Sequence, residues 1–273
     1  MGYYVVERKS GFGDVIAATT IATHLKRMGH QVHFLTSELV KPILEGHPHI
    51  DQLGSAGRLP PDINLNHIDV QQKTRHIQDC YAEFAAAALP KLRKADFPII
   101  RPTLPHSLAN DKLVGWQMAV WPKPWIVVCP GSWQAPNRTV PSHVWQRVAE
   151  SFPNATFFNP TRDFVGGRFI NIGNGLFSGV MSAIHHADLV LTVDSGPMHV
   201  ADAYGKLMIV IEQAWPIDLR LSSLENAKVF KCGLPCSPCR EHSCELPGAI
   251  KATPACQAIE VDKLIQFIKD FGL

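Results

Sequence analysis

Residues 189–205 read LVLTVDSGPMHVADAYG, and this stretch decides the fold. The apolar run Leu189 to Val193 predicts a buried strand. Asp194-Ser195-Gly196 ends it, and a helix is expected from Pro197 to Tyr204, because proline suits a first helical turn where its missing N–H has no partner. Ser195 or Asp194 can cap that helix, which leaves free N–H groups and the positive dipole end facing outward, a site suited to phosphate. His199 lies in the same first turn and can add a donor. An ordinary capped strand–turn–helix gives the same letters.

A second loop of this kind lies near the N-terminus. Strand Tyr3–Glu7 runs into Lys9-Ser10-Gly11-Phe12-Gly13-Asp14, and a helical pattern follows from Val15 to Met28. The third glycine of a dinucleotide fingerprint is missing, since Ala17 or Ala18 stands in its place. Asp14 reads either as a helix cap or as a functional carboxylate. Two loops built from glycine and acid, each at the carboxyl end of a strand, predict two α/β halves.

The rest of the chain agrees. Strand Gln31–Leu35, a short helix Glu38–Glu45, a strand at 63–65 and a helix from Thr74 to Leu89 complete the first half. Residues 96–124 are proline-rich without a sustained period, and the crossing is placed at 115–124. Strand Trp125–Cys129, loop 130–141, helix Ser142–Ser151, strand Ala155–Phe158, helix Phe177–His186 and strand Leu207–Ile211 are expected beyond it. A last amphipathic helix spans Glu260–Phe271. Such alternation predicts parallel sheets with helices on both faces. The expected domains are 1–120, 121–258 and a C-terminal helix, 259–273, packing back across the halves.

At 273 residues and 46% apolar, the chain can bury one large core or two small ones. Its net charge of +2 is too mild to imply binding of nucleic acid or membrane through bulk electrostatics. No apolar run approaches the ~20 residues that span a bilayer, and charges interrupt the N-terminus too early for a signal peptide. A cytoplasmic protein is expected.

Of seven cysteines, Cys80 and Cys129 fall in helical and strand patterns and read as buried hydrophobes. Cys232, Cys236, Cys239, Cys244 and Cys256 crowd into one segment. Cys236 and Cys239 have the two-residue gap that puts both sulfurs on one metal, with Cys244 and Cys256 completing four thiolates and Cys232 a substitute. Free or redox-active thiols are the alternative. Trp116, Trp121 and Trp125 read mainly as core, and Trp133 as a residue able to stack on a base or sugar.

Pro130-Gly131-Ser132, Arg138-Thr139-Val140-Pro141, Trp145 and Asp194-Ser195-Gly196-Pro197-Met198-His199 resemble the donor-half signature of family 9 glycosyltransferases. Gly11-Phe12-Gly13-Asp14-Val15-Ile16 matches the first loop of that family, and residues 44–51 match the segment closing its second helix. The resemblance implies a GT-B fold, two Rossmann-like α/β domains facing across a cleft, with a small cysteine-rich metal-binding loop holding zinc or iron. It implies a nucleotide-diphosphate sugar as co-substrate and Asp14 as the general base of an inverting transfer to an acceptor hydroxyl. Gly131 and Ser132 would line the nucleotide site. Arg138, Ser195, Gly196 and His199 would hold the diphosphate beside Asp194 and Pro197.

Lys9, Ser10, Gly11 and Gly13 form the acceptor-side loop, with Lys9 either a phosphate contact or a solvated surface residue. The short N-terminal half, Ser178 in place of an acid that ADP-heptose enzymes carry, and Thr19-Thr20 in place of a proline depart from the family pattern. The acceptor expected is a saccharide of lipopolysaccharide or another surface glycan, with a hydroxymethylated DNA base or a nucleotide-sugar epimerase reaction as alternatives. No Asp-x-Asp metal clamp occurs, so no catalytic metal is expected, and the leaving diphosphate would be met by Arg138 and backbone N–H groups.

Overall fold

The computed structural model describes residues 1–67, 74–105, 108–131, 136–161, 167–173, 176–241, 244, 256 and 258–272. The chain divides into two compact units. The first is Met1–Ser107 with Asp202–Tyr204 and Asp218–Ser223; the second is Leu108–Ala201, Gly205–Ile217 and Leu224–Leu273. The boundary thus falls ahead of residues 115–124.

In the first unit, β1 (Tyr3–Glu7), α1 (Phe12–Arg27), β2 (Gln31–Thr36), β3 (Gln52–Ser55), β4 (Ile63–Asn64) and α2 (Ile77–Ala88) follow in chain order. The sheet order is β3-β2-β1-β4, and every pair is parallel. The chain therefore winds outward from β1 on one side, then returns to pair β4 on the other. Residues 15–25 of α1 are all buried. Three threonines survive there because their hydroxyls bond back along the helix: Thr19 to the Ile16 carbonyl at 2.7 Å, Thr20 to Ala17 at 2.7 Å and Thr23 to Thr19 at 3.2 Å.

Two expected helices differ. The segment 38–45 forms only a 3-10 turn, Lys41–Ile43, because Pro42 has no N–H with which to continue an α-helix. The helix expected from Thr74 begins at Ile77, where the His76 ring accepts from the Gln78 N–H at 3.2 Å and caps it.

The second unit holds α3 (Leu108–Ala119), β5 (Trp125–Cys129), α4 (Ser142–Ser151), β6 (Thr156–Asn159), β7 (Phe169–Asn171) and α5 (Phe177–His186). Then come β8 (Leu189–Val193), α6 (Gly196–Ala203), β9 (Met208–Glu212), β10 (Ala227–Lys231) and α7 (Val261–Asp270). All strands are parallel in the order β10-β9-β8-β5-β6-β7. Its core joins Val128, Leu191 and Ile211 of the sheet to Trp145 of α4 and to Leu264, Ile265 and Ile268 of α7. Burying each such side chain is worth roughly 1.5–3 kcal/mol, so α7 is held by its apolar face in this unit. Cys80 and Cys129 are buried as expected.

The tryptophans near the crossing correct the core reading. Trp116 is 71% and Trp121 45% exposed, since α3 turns Val114 and Met118 inward instead. Trp133 lies outside the described residues.

The first unit also carries a buried neutral histidine. The His47 ring Nδ1 accepts from the His49 N–H at 3.1 Å, so Nε2 carries the proton toward the Thr103 carbonyl at 2.9 Å. Burial pushes its pKa down to about 4. His24, on the Pro98 carbonyl at 2.9 Å, is also lowered, chiefly by burial. A folded-state pKa below the unfolded one means that the unfolded chain binds more protons between the two. Stability is therefore complete above pH ~6.5 and falls as the pH drops toward 4, by on the order of 2–3 kcal/mol for His47. Denaturant melts from pH 7.5 to 4.5 should show that decline, and His47→Gln should flatten it; a level wild-type profile would refute it.

Candidate functional site

In each sheet the chain reverses its winding direction at one point. Between β1 and β4, and between β5 and β8, the neighbouring connections leave in opposite directions, so a crevice opens beyond the carboxyl ends of those strands. Ligands of open parallel sheets bind at such points. The loops that follow β1, β5 and β8, which carry Asp14, Arg138 and Asp194, lie at them.

In the first unit the crevice is ordered by Glu7, a residue sequence reasoning passed over. It is 2% exposed. Its carboxylate accepts from the Gly57 N–H and the Asn66 Nδ2, each at 2.7 Å. Asn66 Oδ1 in turn accepts from the Lys9 N–H at 2.7 Å, which fixes the start of the loop. The Lys9 ammonium is exposed, 3.8 Å from Glu7. Ser10 and Gly11 are exposed and Gly13 half-buried.

Gly11, at φ 81°, is the residue preceding α1, so the cap position belongs to glycine and not to Asp14. Asp14 instead stands in the first turn with its carboxylate on Arg8, Nη2 to Oδ2 at 3.0 Å. Arg8 was also missed: it follows an apolar strand, where a charge ordinarily marks the strand's exit into solvent. Here it is 7% exposed, and its Nη1 donates to the Leu65 carbonyl at 3.1 Å. The Tyr81 hydroxyl donates to the Asp14 carbonyl at 3.1 Å, and burial raises the phenol's pKa and so keeps it protonated. The Asp14 side chain is 29% exposed. A carboxylate held by Arg8 and still partly exposed can take a proton from a hydroxyl placed before it.

In the second unit, Arg138 Nη1 donates to the Asp194 carboxylate at 3.1 Å and to its carbonyl at 3.3 Å. The Asp194 side chain is only 7% exposed, so it orients the arginine and is not itself a proton acceptor for substrate. Arg138 is accordingly a paired guanidinium, and its buried Nε has no partner among the described residues. The Ser195 Oγ donates to the Val193 carbonyl at 3.2 Å, and the Met198 N–H donates to the Ser195 carbonyl at 3.1 Å. Gly196 opens the helix, Pro197 follows, and His199 is buried in its first turn. A Cβ on Gly131 would meet Thr139 Oγ1 at 2.7 Å. Glycine is what lets loop 130–131 close on 139–140, sealed by the Val140 N–H to the Pro130 carbonyl at 2.9 Å. Ser132 lies outside the described residues.

The cysteine segment joins this unit at the end of β9. Gln213 Nε2 donates to the Cys256 carbonyl at 3.0 Å, the Ser237 hydroxyl to the Gln213 carbonyl at 2.6 Å, and the Arg240 N–H to the Ala214 carbonyl at 2.6 Å. Burial pushes the Cys256 thiol up to about 12, helped by Cys232, Cys239 and Cys244 nearby, and burial also raises Cys239. Among the described residues, however, no group of three or more His, Cys, Asp or Glu stands close enough to hold a metal ion, so the four-thiolate set expected from spacing is not closed here.

A family model, glycosyltransferase family 9 (heptosyltransferase), matches residues 173–250. The whole chain also resembles solved structures. A family 9 glycosyltransferase from Veillonella parvula DSM 2008 superposes with a TM-score of 0.73 at 15% identity, covering 98% of this chain and 96% of that one. The E. coli ADP-heptose lipopolysaccharide heptosyltransferase II gives 0.66 at 14% identity, with 99% and 98% covered. The iron-containing dodecameric glycosyltransferase TibC of E. coli H10407 gives 0.68 at 12% identity, with 99% and 76% covered. Comparison with curated proteins by sequence found no match. The family match over residues 173–250 and the fold bear out the resemblance carried by the motifs: the chain has the GT-B fold of the heptosyltransferases it superposes on.

The Asp14 loop gives a direct test. A methyl group on Gly11 would collide with the Asp14 carboxylate and must also adopt a left-handed φ. Gly11→Ala should cost about 1–2 kcal/mol in a denaturant melt and lower sugar transfer while sparing donor affinity. Wild-type turnover in this variant would show that the carboxylate's place is immaterial.

Proposed function

We propose that this protein transfers a sugar from a nucleotide-diphosphate sugar to a hydroxyl of a saccharide acceptor, with inversion, Asp14 acting as the general base. The observation that carries this is the Arg8–Asp14 pair: a partly open carboxylate, at a switch point, held by a buried arginine. Asp14 would take the acceptor's proton as the oxygen attacks the anomeric carbon and the nucleoside diphosphate leaves. In the second unit Arg138, the Gly131 loop and the start of α6 would hold the donor. The relatives support ADP-heptose as the model donor and lipopolysaccharide as the model acceptor: one is solved with ADP-2-deoxy-2-fluoro heptose, another is an ADP-heptose lipopolysaccharide enzyme.

Asp14→Asn should keep the fold and donor affinity but lower turnover roughly a hundredfold or more, the usual range for a lost general base. Full transfer by this variant would leave the carboxylate a structural partner of Arg8.

We further propose a structural zinc or iron bound by the cysteine segment, drawn from Cys236, Cys239, Cys244, Cys256 and Cys232. Four thiolates suit either metal, and an iron-containing relative shares the fold. Its role would be to fix a segment with little apolar content against β9. Elemental analysis of protein purified without chelator should find about one atom per chain, and Cys236→Ser should lower the melting temperature. Metal-free protein with an unchanged melting temperature would leave these residues as ordinary thiols.

A further inference from the structure

Glu7, the last residue of β1, and Asn66, just beyond β4, form a side-chain pair that fixes more than its own place. The buried Glu7 carboxylate only accepts hydrogen bonds: Oε2 takes the Gly57 N–H and Oε1 the Asn66 Nδ2, each at 2.7 Å. The Asn66 amide is therefore turned so that its nitrogen faces Glu7 and its oxygen faces the Lys9 N–H, at 2.7 Å. The Asn66 backbone is itself pinned. Its N–H donates to Asn64 Oδ1 at 3.0 Å, and Asn64 lies opposite Glu7 in the β1–β4 register.

Lys9 is where the loop before α1 is anchored. Its carbonyl accepts from the Ser37 N–H at 3.0 Å and the Thr36 hydroxyl at 3.3 Å, and its N–H depends on the Asn66 oxygen. On one side of it stands Arg8, whose guanidinium holds Asp14. On the other, only Ser10 and Gly11 separate Lys9 from α1, whose first turn carries Asp14. Both routes to the Asp14 carboxylate thus leave from the peptide that Asn66 fixes.

We propose that Glu7 is a positioning residue of the transfer reaction: by dictating which way the Asn66 amide points, it sets the Lys9 end of the loop and, through it, the place of Asp14. This inference rests on the reading of Asp14 as general base. What matters is the match of donor to acceptor. In Glu7→Gln the Gly57 N–H claims the new amide's oxygen, and the new NH2 group is left facing Asn66. Asn66 then either meets it donor to donor, or turns over and sets its own NH2 against the Lys9 N–H. One contact at the anchor is unmet in each case. Adding Asn66→Asp repairs both, since a carboxylate there accepts from the new NH2 group with one oxygen and from the Lys9 N–H with the other.

The test measures sugar transfer, donor affinity by calorimetry and melting temperature for wild type, Glu7→Gln, Asn66→Asp and the double variant. Glu7→Gln should lose roughly tenfold or more in kcat with donor affinity unchanged, because a general base tolerates little displacement. Asn66→Asp alone sets two carboxylates face to face and should be impaired as well. The double variant, of the same net charge as wild type, should recover most of the loss. Adding Glu7→Gln to Asp14→Asn should lower turnover no further, since two changes acting through one group do not multiply. A merely structural role would move the melting temperature and leave this pattern absent. Wild-type turnover in Glu7→Gln, with Asp14→Asn impaired, would overturn this inference and spare the base reading. A double variant that recovers nothing, or loss of the fold in Glu7→Gln, would overturn it too. Full transfer by Asp14→Asn would remove the base reading and this inference with it.

Discussion

The structure depends on one constraint of parallel sheets: a strand must be followed by a crossover before the chain can pair again in the same direction. When successive crossovers go the same way, the strand ends are covered. When they diverge, two neighbouring strands release their loops to opposite faces, and their carboxyl ends are left open. That happens between β1 and β4 in one sheet and between β5 and β8 in the other. The functional loops lie where they do because each sheet has such a point.

Each opening is then furnished by an arginine–aspartate pair, and the two pairs differ in a way that separates their roles. Arg8 and Asp14 are 3.0 Å apart and Arg138 and Asp194 3.1 Å. Asp14 keeps 29% of its side chain exposed, whereas Asp194 keeps 7%. A carboxylate must be reached before it can accept a proton, so the first suits chemistry. The second, nearly enclosed, accepts from the guanidinium with both its carboxylate and its main-chain carbonyl and so fixes the direction of an arginine. Under the proposed function, the same two residue types, at similar distance, would serve as a base and its holder in one unit and as a cation and its orienter in the other.

Near the Arg138 loop, the cysteine segment is tied to the residues just after β9 through Gln213, Ser237 and Arg240, and to that loop through Asn137 and the Cys256 thiol, which donates to the Asn137 carbonyl at 3.5 Å. Cys232 and Cys256 pack into the apolar core of this unit, with Leu234 against it, and these hydrogen bonds add to that hold.

The sequence alone determined the parallel α/β class, the two units, and the strands whose apolar runs are long, such as Leu189–Val193 and Trp125–Cys129, because burial on both faces of a sheet leaves a continuous signature. It also determined the loops that matter, since glycine and acid at a strand's end are local requirements. It did not reveal β3 or β10: Gln52–Ser55 carries almost no apolar residue and Ala227–Lys231 is an edge strand with exposed lysines. Nor did it reveal α3, hidden among prolines. Only the tertiary structure decided that Arg8 is buried against Asp14, that Asp194 is taken by Arg138, and that Arg240 reaches the end of β9. Those pairings join residues far apart in sequence or turn a charge inward against its usual habit. They follow from where folded strands end in space, a property that no local pattern of residues encodes.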